Sequence, residues 1–217
     1  MSLRSSIRTL LTLGRGVLRG LPPAADDADP IELFAGWYHA AEESGMLLPD
    51  AMALATATPE GIPSVRMVLL KGVGPDGFVF YTNYGSHKAQ ELDANPHAAL
   101  CFHWPVLERQ VRVAGAVQRL SPEENEAYFM TRPRGSRIGA WASRQSEVLP
   151  SRQDLLERVK EYNQRFSGDD VPLPPFWGGY RLMPSRMEFW QGKADRLHDR
   201  LLFLRRGGEW TSQRLYP

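Results

Sequence analysis

Cysteine is almost absent from this chain, and long apolar runs are missing altogether. One cysteine, Cys101, occurs in 217 residues, so the sequence excludes an internal disulfide framework and indicates a reducing, cytoplasmic environment. No apolar run reaches the length that a membrane-spanning helix needs. Lys and Arg number 26 against 25 Asp and Glu, a formal net charge of +1, which disfavours nucleic acid as the main partner. We therefore expect a cytoplasmic protein that binds neither membranes nor nucleic acid but has room for a local anion site.

The common catalytic signatures are also missing. The five histidines have no CxxC or HExxH spacing around them, so we expect no metal site. No GxGxxG fingerprint opens a predicted helix, and the chain contains no Walker loop and no GxSxG elbow. These absences disfavour hydride transfer on a Rossmann fold and phosphoryl transfer at a P-loop.

The chain divides near residue 28 into a basic arm with its linker and a single domain. Residues 4–20 are basic and free of acidic side chains, but they lack the apolar segment and small-residue cleavage site of a targeting peptide. Residues 22–30, PPAADDADP, have the composition of a linker. We expect residues 1–28 to form a flexible arm and residues 29–217 to form one domain.

Short β-strands separated by turns dominate the rest of the pattern. Residues 51–120 predict five strands, and residues near the C-terminus predict more, including a hairpin over Gly207-Gly208. Asp29-Pro30 and the capping box Ser121-Pro122-Glu123-Glu124 open predicted helices, the second of which must stop near Thr131 because Pro133 follows. Further helix N-caps are predicted at Ser86, Ser136 and Ser151. The spacing favours an antiparallel sheet that closes as a barrel with helices around it.

Two stretches offer cations and hydroxyls beside a strand or a helix start. RMVLLK, residues 66–71, is an apolar strand with a cation at each end, along which a flat ligand could use the backbone; the alternative is a core strand with snorkelling ends. Arg66 and Lys71 have opposite parity, so they face opposite sides unless a bulge intervenes. In YTNYGSHK, residues 81–88, Thr82, Ser86 and Lys88 surround a helix N-terminus, which can bind phosphate or can be an ordinary cap.

A third stretch, YFMTRPRGS at residues 128–136, combines a phenol, a guanidinium and a hydroxyl. Tyr128 and Arg132 are four residues apart and share a helix face, and Ser136 follows in a turn. The alternative is a packed tyrosine with a surface arginine. Together the three stretches indicate two phosphorylated ligands, one along RMVLLK and one near Tyr128.

Near the C-terminus, Arg196, His198 and Arg200 occupy every second position of ADRLHDR. If this stretch is a strand, the three cationic side chains share one face. Such a row is either a solvated edge strand or a face that meets anionic ligands.

Eight motifs in this order resemble the pyridoxamine 5'-phosphate oxidase family, from about residue 30 to the C-terminus: RMVLLK, FYTN, GSHKA, LERQV, RPRGSRIGAWASRQS, PPFWGGYR, EFWQG and RLHDR. The resemblance implies a mainly β (α+β), Greek-key split β-barrel with peripheral helices, forming a homodimer with two FMN molecules in clefts between the subunits. It also implies oxidation of pyridoxamine or pyridoxine 5'-phosphate to pyridoxal 5'-phosphate, with oxygen as acceptor and hydrogen peroxide as product.

The resemblance also assigns roles to individual residues. The positions that resemble the family's FMN-binding residues are Arg66, Met67, Val68, Leu69, Leu70, Lys71, Tyr81, Thr82, His87, Lys88, Gln110, Gln145, Ser146, Trp190 and Arg200. The positions that resemble its substrate-binding residues are Lys71, Tyr128, Arg132, Ser136, Arg196, Leu197 and His198. Arg196 and His198 resemble the catalytic pair that holds the pyridine ring over the flavin.

Two departures from the family pattern leave alternatives open. His87 stands where the family usually has arginine, and Leu10-Leu11-Thr12-Leu13 stands where the family's arm has Arg-Arg-Glu-Tyr. A related flavin oxidase acting on another ring system, such as a phenazine precursor, is one alternative. A non-catalytic carrier of flavin or pyridoxal phosphate is the other.

Overall fold

The computed structural model describes Leu21 and residues 29–217. The predicted arm and linker, residues 1–28, lie outside the described residues except for Leu21, and their assignment stays a prediction. The described part contains nine strands, all in one sheet. The strands are β1 (Ala51–Ala57), β2 (Pro63–Leu69), β3 (Gly72–Gly74), β4 (Gly77–Asn83), β5 (His97–Trp104), β6 (Arg109–Arg119), β7 (Trp177–Gln191), β8 (Asp199–Arg206) and β9 (Glu209–Leu215).

Every strand pairing in this sheet is antiparallel, in the order β2-β1-β5-β6-β7-β4-β3, with β8 joining β7 to β9. The 15-residue β7 is the strand that joins the two parts of the sheet. Its first part pairs with β4 and its last part with β8, while β6 pairs along its other edge. The pairings β1–β5 and β4–β7 join strands distant in the sequence, as in Greek-key sheets. Past the end of β2, Lys71 N–H donates to Val79 O at 2.8 Å, which partly closes the barrel. The mainly β split-barrel prediction is confirmed.

The barrel interior is filled by aromatic side chains that alternate inward along the strands. Phe34 of the first described helix packs edge-on against Phe78 and Phe102, with ring centroids 4.9 Å apart in both pairs. At the β6–β7 crossing the register shifts after Ala114, and a Cβ on Gly115 would lie 1.9 Å from Met183 O. Glycine is therefore required where these two backbones approach most closely.

Five α-helices lie outside the sheet in the described part: α1 (Pro30–Glu43), α2 (His87–Ala94), α3 (Pro122–Thr131), α4 (Arg134–Ala142) and α5 (Arg152–Arg165). The capping box at Ser121 and the stop at Thr131 are confirmed. The predicted cap at Ser136 is wrong, because α4 begins two residues earlier, directly after Pro133. Residues 72–77, GVGPDG, match GxGxxG by letters only, since they form the β3–β4 hairpin.

The row of cations at 196, 198 and 200 does not lie on one strand. The chain must reverse between β7 and its antiparallel neighbour β8, and residues 192–198 make that reversal. Ala194–Arg196 form a short 3-10 turn in which Asp195 and Arg196 have φ of 56° and 61°. Only Arg200 lies on β8, so the prediction of a shared strand face for all three is wrong.

Candidate active site

A cavity of about 940 Å³ opens between β2, β4 and the helices α3 and α4. This is within the range of small-molecule sites, near its upper end. Twelve predicted site residues line it: Arg66, Met67, Val68, Leu69, Lys71, Tyr81, Thr82, Lys88, Tyr128, Arg132, Ser136 and Gln145. Seven further lining residues were not predicted: Asn83, Thr131, Pro133, Gly139, Ala140, Ser143 and Trp177.

One wall of the cavity is the edge of the sheet. β2 pairs with β1 on one side and ends the strand order on the other, so backbone groups along its open edge are available to a ligand. Arg66 and Lys71 both line the cavity, although their parity predicts opposite faces for a continuous strand. The reason is that β2 ends at Leu69 and the chain turns, which sends Leu70 into the core with 6% exposure.

Two cations stand together at one end of the cavity. Lys88 Nζ donates to Gln145 Oε1 at 2.8 Å, to Thr82 Oγ1 at 3.2 Å and to Ser86 Oγ at 3.3 Å. Burial, followed by the nearby charge of Arg66, lowers the pKa of Lys88 to about 8. Two adjacent cations, of which one contacts only neutral oxygens, favour an anionic ligand here.

Arg66 is held from behind by a buried carboxylate. Its Nη2 lies 3.1 Å from Glu91 Oε2, and the same side chain donates to Leu54 O and Ser64 Oγ. Burial acts to raise the pKa of Glu91, but hydrogen bonds from Ser64, Thr56 and Arg66 outweigh it and lower the pKa. Glu91 therefore stays charged and fixes the Arg66 guanidinium at the cavity wall.

The N-terminus of α2 closes this end of the cavity, with Ser86 at the N-cap position. Ser86 makes no side-chain cap hydrogen bond; its hydroxyl accepts from Lys88 instead. The His87 N–H donates to Ser146 Oγ at 3.2 Å. The His87 ring is 62% exposed and lies 3.6 Å from Glu91 Oε1, so neither His87 nor Ser146 lines the cavity.

A stack of aromatic rings forms the opposite wall. Tyr81 and Tyr128 stack with centroids 3.9 Å apart, and the Trp177 ring lies nearly parallel to both, 5.2 Å from Tyr81 and 6.2 Å from Tyr128. Arg132 lies over the Trp177 ring at 4.7 Å, and its Nη1 is buried without a hydrogen-bond partner. Burial also lowers the pKa of this guanidinium. An unsatisfied buried cation is costly, so this wall is built to receive an acceptor.

The remaining cation, Lys71, stands at the mouth of the cavity. Its Nζ pairs with Asp50 Oδ2 at 2.8 Å. Ser136 is exposed on the first turn of α4, on the same cavity lining as Arg132. Lys71, Arg132 and Ser136 thus add polar side chains to the same cavity lining as Arg66 and Lys88.

The other predicted site residues do not line this cavity: Gln110, Trp190, Arg196, Leu197, His198 and Arg200. The strand register places Gln110 opposite Trp190 and Trp190 opposite Arg200. The His198 ring lies 4.6 Å from the Trp190 ring, and its Nδ1 accepts from Lys193 N–H at 3.2 Å. These residues therefore form a separate group, at the β7–β8 reversal.

The separate group lies on the outer face of the sheet, which we define by the paired side chains Met67, Ala53, Cys101, Arg112 and Glu188. Directly paired residues in antiparallel strands share a face, and alternation adds Gln110, Trp190 and Arg200. Small side chains occupy its centre, while Val65 and Met67 at its β2 edge are 68% and 64% exposed.

Sequence reasoning missed Trp177 in the cavity and Glu91 behind it. The PPFWGGYR motif contains Trp177 and could have indicated this residue. Its first glycine is required by the structure, because a Cβ on Gly178 would lie 2.1 Å from Tyr84 Oη. Glu91 gave no signal, because a carboxylate on an amphipathic helix resembles a solvated residue. No helix in the described part of the chain is long and apolar enough to cross a membrane. The described residues also contain no cluster of three potential metal ligands.

Two family models match the chain. The model described as pyridoxamine 5'-phosphate oxidase matches residues 42–166, and that of the pyridoxine 5'-phosphate oxidase C-terminal dimerisation region matches residues 177–217. A pyridoxine/pyridoxamine 5'-phosphate oxidase of Psychromonas ingrahamii is 54% identical over 217 residues, all of both chains. Its counterpart from Rubrobacter xylanophilus is 56% identical over 211 residues, 97% of each chain.

Solved structures agree with these matches. PhzG from Burkholderia lata 383, solved with tetrahydrophenazine-1-carboxylic acid, superimposes with a TM-score of 0.85 at 33% identity, covering 91% of this chain and 98% of its own. A pyridoxamine 5'-phosphate oxidase-related, FMN-binding protein of Nostoc punctiforme shares the fold, with a TM-score of 0.70 at 20% identity over 88% of this chain and all of its own. The chain belongs to the pyridoxamine 5'-phosphate oxidase family.

Proposed function

We propose that the protein is an FMN-dependent oxidase that converts pyridoxamine or pyridoxine 5'-phosphate to pyridoxal 5'-phosphate, reducing oxygen to hydrogen peroxide; from the amine substrate, water supplies the aldehyde oxygen and ammonia is released. The observation that carries the proposal is one cavity lined by four cationic side chains. We assign Arg66 and Lys88 to a first anion-binding group, and Lys71 with Arg132 to a second. A phosphorylated cofactor beside a phosphorylated substrate requires both. The single cysteine supports a cytoplasmic location.

The first group fits the phosphate of FMN. Lys88 contacts only neutral oxygens, and the N-terminus of α2 lies beside it, so phosphate would gain charge-assisted hydrogen bonds without displacing an acid. The open edge of β2, from Arg66 to Leu69, supplies backbone donors and acceptors for a flat ring. When bound, FMN supplies the redox chemistry, by accepting a hydride from the substrate and passing electrons to oxygen.

The second group fits the substrate phosphate. The unpartnered Nη1 of Arg132 lies against Trp177, with Tyr128 and Ser136 on the same lining. Lys71 completes the set at the mouth. A bound phosphate would satisfy the buried guanidinium nitrogen, which otherwise costs free energy in the folded protein.

We propose a homodimer in which the outer face meets its copy and completes the site. The match of residues 177–217 to a dimerisation region supports this assembly. Exposed Val65 and Met67 beside small side chains suit close packing. Gln110, Trp190 and Arg200 of one protomer would then meet the FMN of its partner, and Arg196, Leu197 and His198 would meet the substrate there.

Within that assembly the chain's residues orient and stabilise. Arg196 and His198 hold the pyridine ring with its reacting carbon facing the flavin, a positioning role. Arg196 also stabilises negative charge on the ring or its 3-oxygen as the hydride departs. No general base is assigned, and the amine substrate binds unprotonated.

A second candidate is oxidation of another ring system, since the PhzG structure holds tetrahydrophenazine-1-carboxylic acid. A single carboxylate would use only one of the two anion-binding groups, which favours the phosphorylated substrate. The third reading, a carrier without catalysis, predicts bound flavin and no turnover.

Oxygen uptake with pyridoxine 5'-phosphate separates the three. We expect a yellow protein with about one FMN per chain, oxygen consumption and release of hydrogen peroxide. Flavin without oxygen uptake would identify the carrier, and uptake only with a dihydrophenazine would identify the second candidate. A colourless protein that gains no flavin spectrum on titration with FMN would refute the proposal at its base.

A further inference from the structure

Glu188 is a buried carboxylate on the outer face that none of the roles assigned above uses. It lies on β7, is only 3% exposed, and faces three arginines. Arg200 Nη2 lies 2.7 Å from Oε1, while Arg112 and Arg186 approach Oε2 at 3.4 and 3.8 Å. Burying a carboxylate is expensive unless it is paired, and one arginine would suffice for pairing.

The contacts of Arg200 differ from those of the other two arginines. Its Nε and Nη2 both donate to Glu188 Oε1, at 3.0 and 2.7 Å, and its Nη1 donates to Tyr216 O at 3.0 Å. All three nitrogens of this guanidinium are therefore held by the chain. Arg112 and Arg186 remain 57% and 46% exposed, whereas Arg200 is 27% exposed, so the carboxylate fixes Arg200 above all.

The geometry of the sheet explains why residue 188 can do this. Trp190 is directly opposite Arg200 across the β7–β8 ladder, and Glu188 is two residues from Trp190 on the same face. A diagonal neighbour at this spacing is within reach of a long side chain. The carboxylate thus reaches Arg200 from the side, and the Arg200 side chain stays 27% exposed.

We propose that Glu188 is the positioning residue for Arg200: it holds the guanidinium in the orientation in which it meets the flavin of the partner subunit. The inference rests on the proposed function, because it takes Arg200 as a cofactor-binding residue. Glu188 itself does not line the cavity. Its effect on the flavin should therefore pass through Arg200 and through no other residue.

A double-mutant cycle read by FMN titration of the apoprotein tests this coupling. Glu188→Gln keeps the shape of the side chain and removes its charge. We expect FMN affinity to fall about tenfold in Glu188→Gln, and by the same factor in Arg200→Ala. The double variant should bind FMN as Arg200→Ala does, with no further loss. Arg112→Gln, which breaks another contact of the same carboxylate, is the matched control and should stay within about twofold of wild type.

Each other result decides the matter. Full additivity of the two losses, or wild-type affinity in Glu188→Gln, overturns the proposal. If Glu188→Gln does not fold, Arg200→Lys replaces it, because lysine keeps the charge but cannot be held as a planar fork; wild-type affinity in that variant overturns the proposal. Failure of the wild-type protein itself to bind FMN is a different outcome, which refutes the proposed function.

Discussion

The cavity and the outer face use their cations in opposite ways. In the cavity, Lys88 contacts only neutral oxygens, and Arg132 keeps a buried nitrogen without a partner. On the outer face, every nitrogen of Arg200 is hydrogen bonded within the chain. The cavity is thus prepared to receive anions from solution. The outer face is prepared to present one fixed guanidinium to another surface.

The same contrast separates what one chain completes from what it does not. β2, β4 and the helices α2, α3 and α4 bring the cavity residues together without help. The reversal at residues 192–198 and Arg200 contact β7, β8, the following residues and, through Gly192 N–H, Glu108 O, and none of them lines the cavity. We propose that a complete site requires a second copy, and the predictions below test that division from the largest expected effect to the smallest.

Removing both cavity cations should have the largest effect. We expect Arg66→Ala combined with Lys88→Met to weaken FMN binding by about two decades or more, since each charged hydrogen bond contributes about 1.5–3 kcal/mol. FMN titration of the apoprotein measures the loss. Lys160→Met, on the exposed face of α5, is the control for removing a surface lysine. Retained affinity in the double variant would show that the phosphate binds elsewhere.

Mixing two defective chains tests the division between cavity and outer face directly. Arg132→Ala and His198→Ala should each lower turnover by about one to two decades while keeping most of the FMN. If the site is shared, a mixed dimer contains one intact site and one doubly defective site, so it should recover about half of wild-type turnover. Differently tagged chains, co-expressed and purified by both tags, provide the mixed dimer.

The outcome of the mixing experiment is decisive for the assembly. Mixed dimers that remain as inactive as their parents would show that Arg132 and His198 serve one cavity of one chain. Loss of flavin from His198→Ala alone would refute its assignment to the substrate rather than to the cofactor.

The sequence predicted the cavity better than it predicted the outer face, and the reasons are physical. Residues placed by local geometry, such as Lys88 in the first turn of α2, reach the cavity through their own secondary structure. The alternation of Arg196, His198 and Arg200 wrongly predicted a shared strand face. Left-handed φ angles at Asp195 and Arg196 turn the chain before β8 begins. No pattern in a single sequence marks Asp195 for such a conformation.

Buried carboxylates were missed for a different reason. Glu91 and Glu188 are 4% and 3% exposed, yet each has the spacing of an ordinary surface residue on its element. Their burial comes from arginines that are distant in the sequence, 25 residues away for Arg66 and 76 for Arg112. Strand register brings Arg112 opposite Glu188, and the packing of α2 against the sheet brings Glu91 to Arg66; both depend on the whole fold.

Alkaline pH should weaken FMN binding at the cavity cation Lys88, by a smaller factor than the substitutions above. In the ligand-free protein the pKa of Lys88 is lowered to about 8, and a bound phosphate dianion raises it again by favouring the charged form. The contribution of Lys88 to FMN affinity is then fully present below pH 8. It is lost as the pH rises through the pKa of the complex, by at most about tenfold per pH unit.

Lys88→Arg is the matched variant, because arginine stays charged throughout this range. FMN affinity measured from pH 7 to pH 10 should fall in the wild type and stay level in Lys88→Arg. The same linkage affects stability. Between pH 8 and 10.5 the unfolded state holds the Lys88 proton more tightly than the folded state, so the free energy of unfolding of the ligand-free wild type rises with pH in this range. Parallel pH profiles of FMN affinity for the wild type and Lys88→Arg would show that Lys88 does not bind the phosphate.

The smallest effect is expected at His87, which borders the cavity without lining it. Its ring is 62% exposed and lies 3.6 Å from Glu91, the carboxylate that also holds Arg66. Any effect of this ring on the phosphate site therefore passes through Glu91. The assignment of His87 to the cofactor stays a prediction, and this geometry makes its contribution indirect.

We expect FMN affinity in His87→Ala to stay within about twofold of wild type. A helical pair four residues apart contributes only about 0.2–0.5 kcal/mol, and the ring reaches the phosphate site only through Glu91. His87→Arg should differ from the wild type by no more than the same factor, because it keeps a side chain that can pair with Glu91. FMN titration of the three apoproteins measures both ratios. A loss of tenfold or more in His87→Ala would show that the ring itself contacts the phosphate.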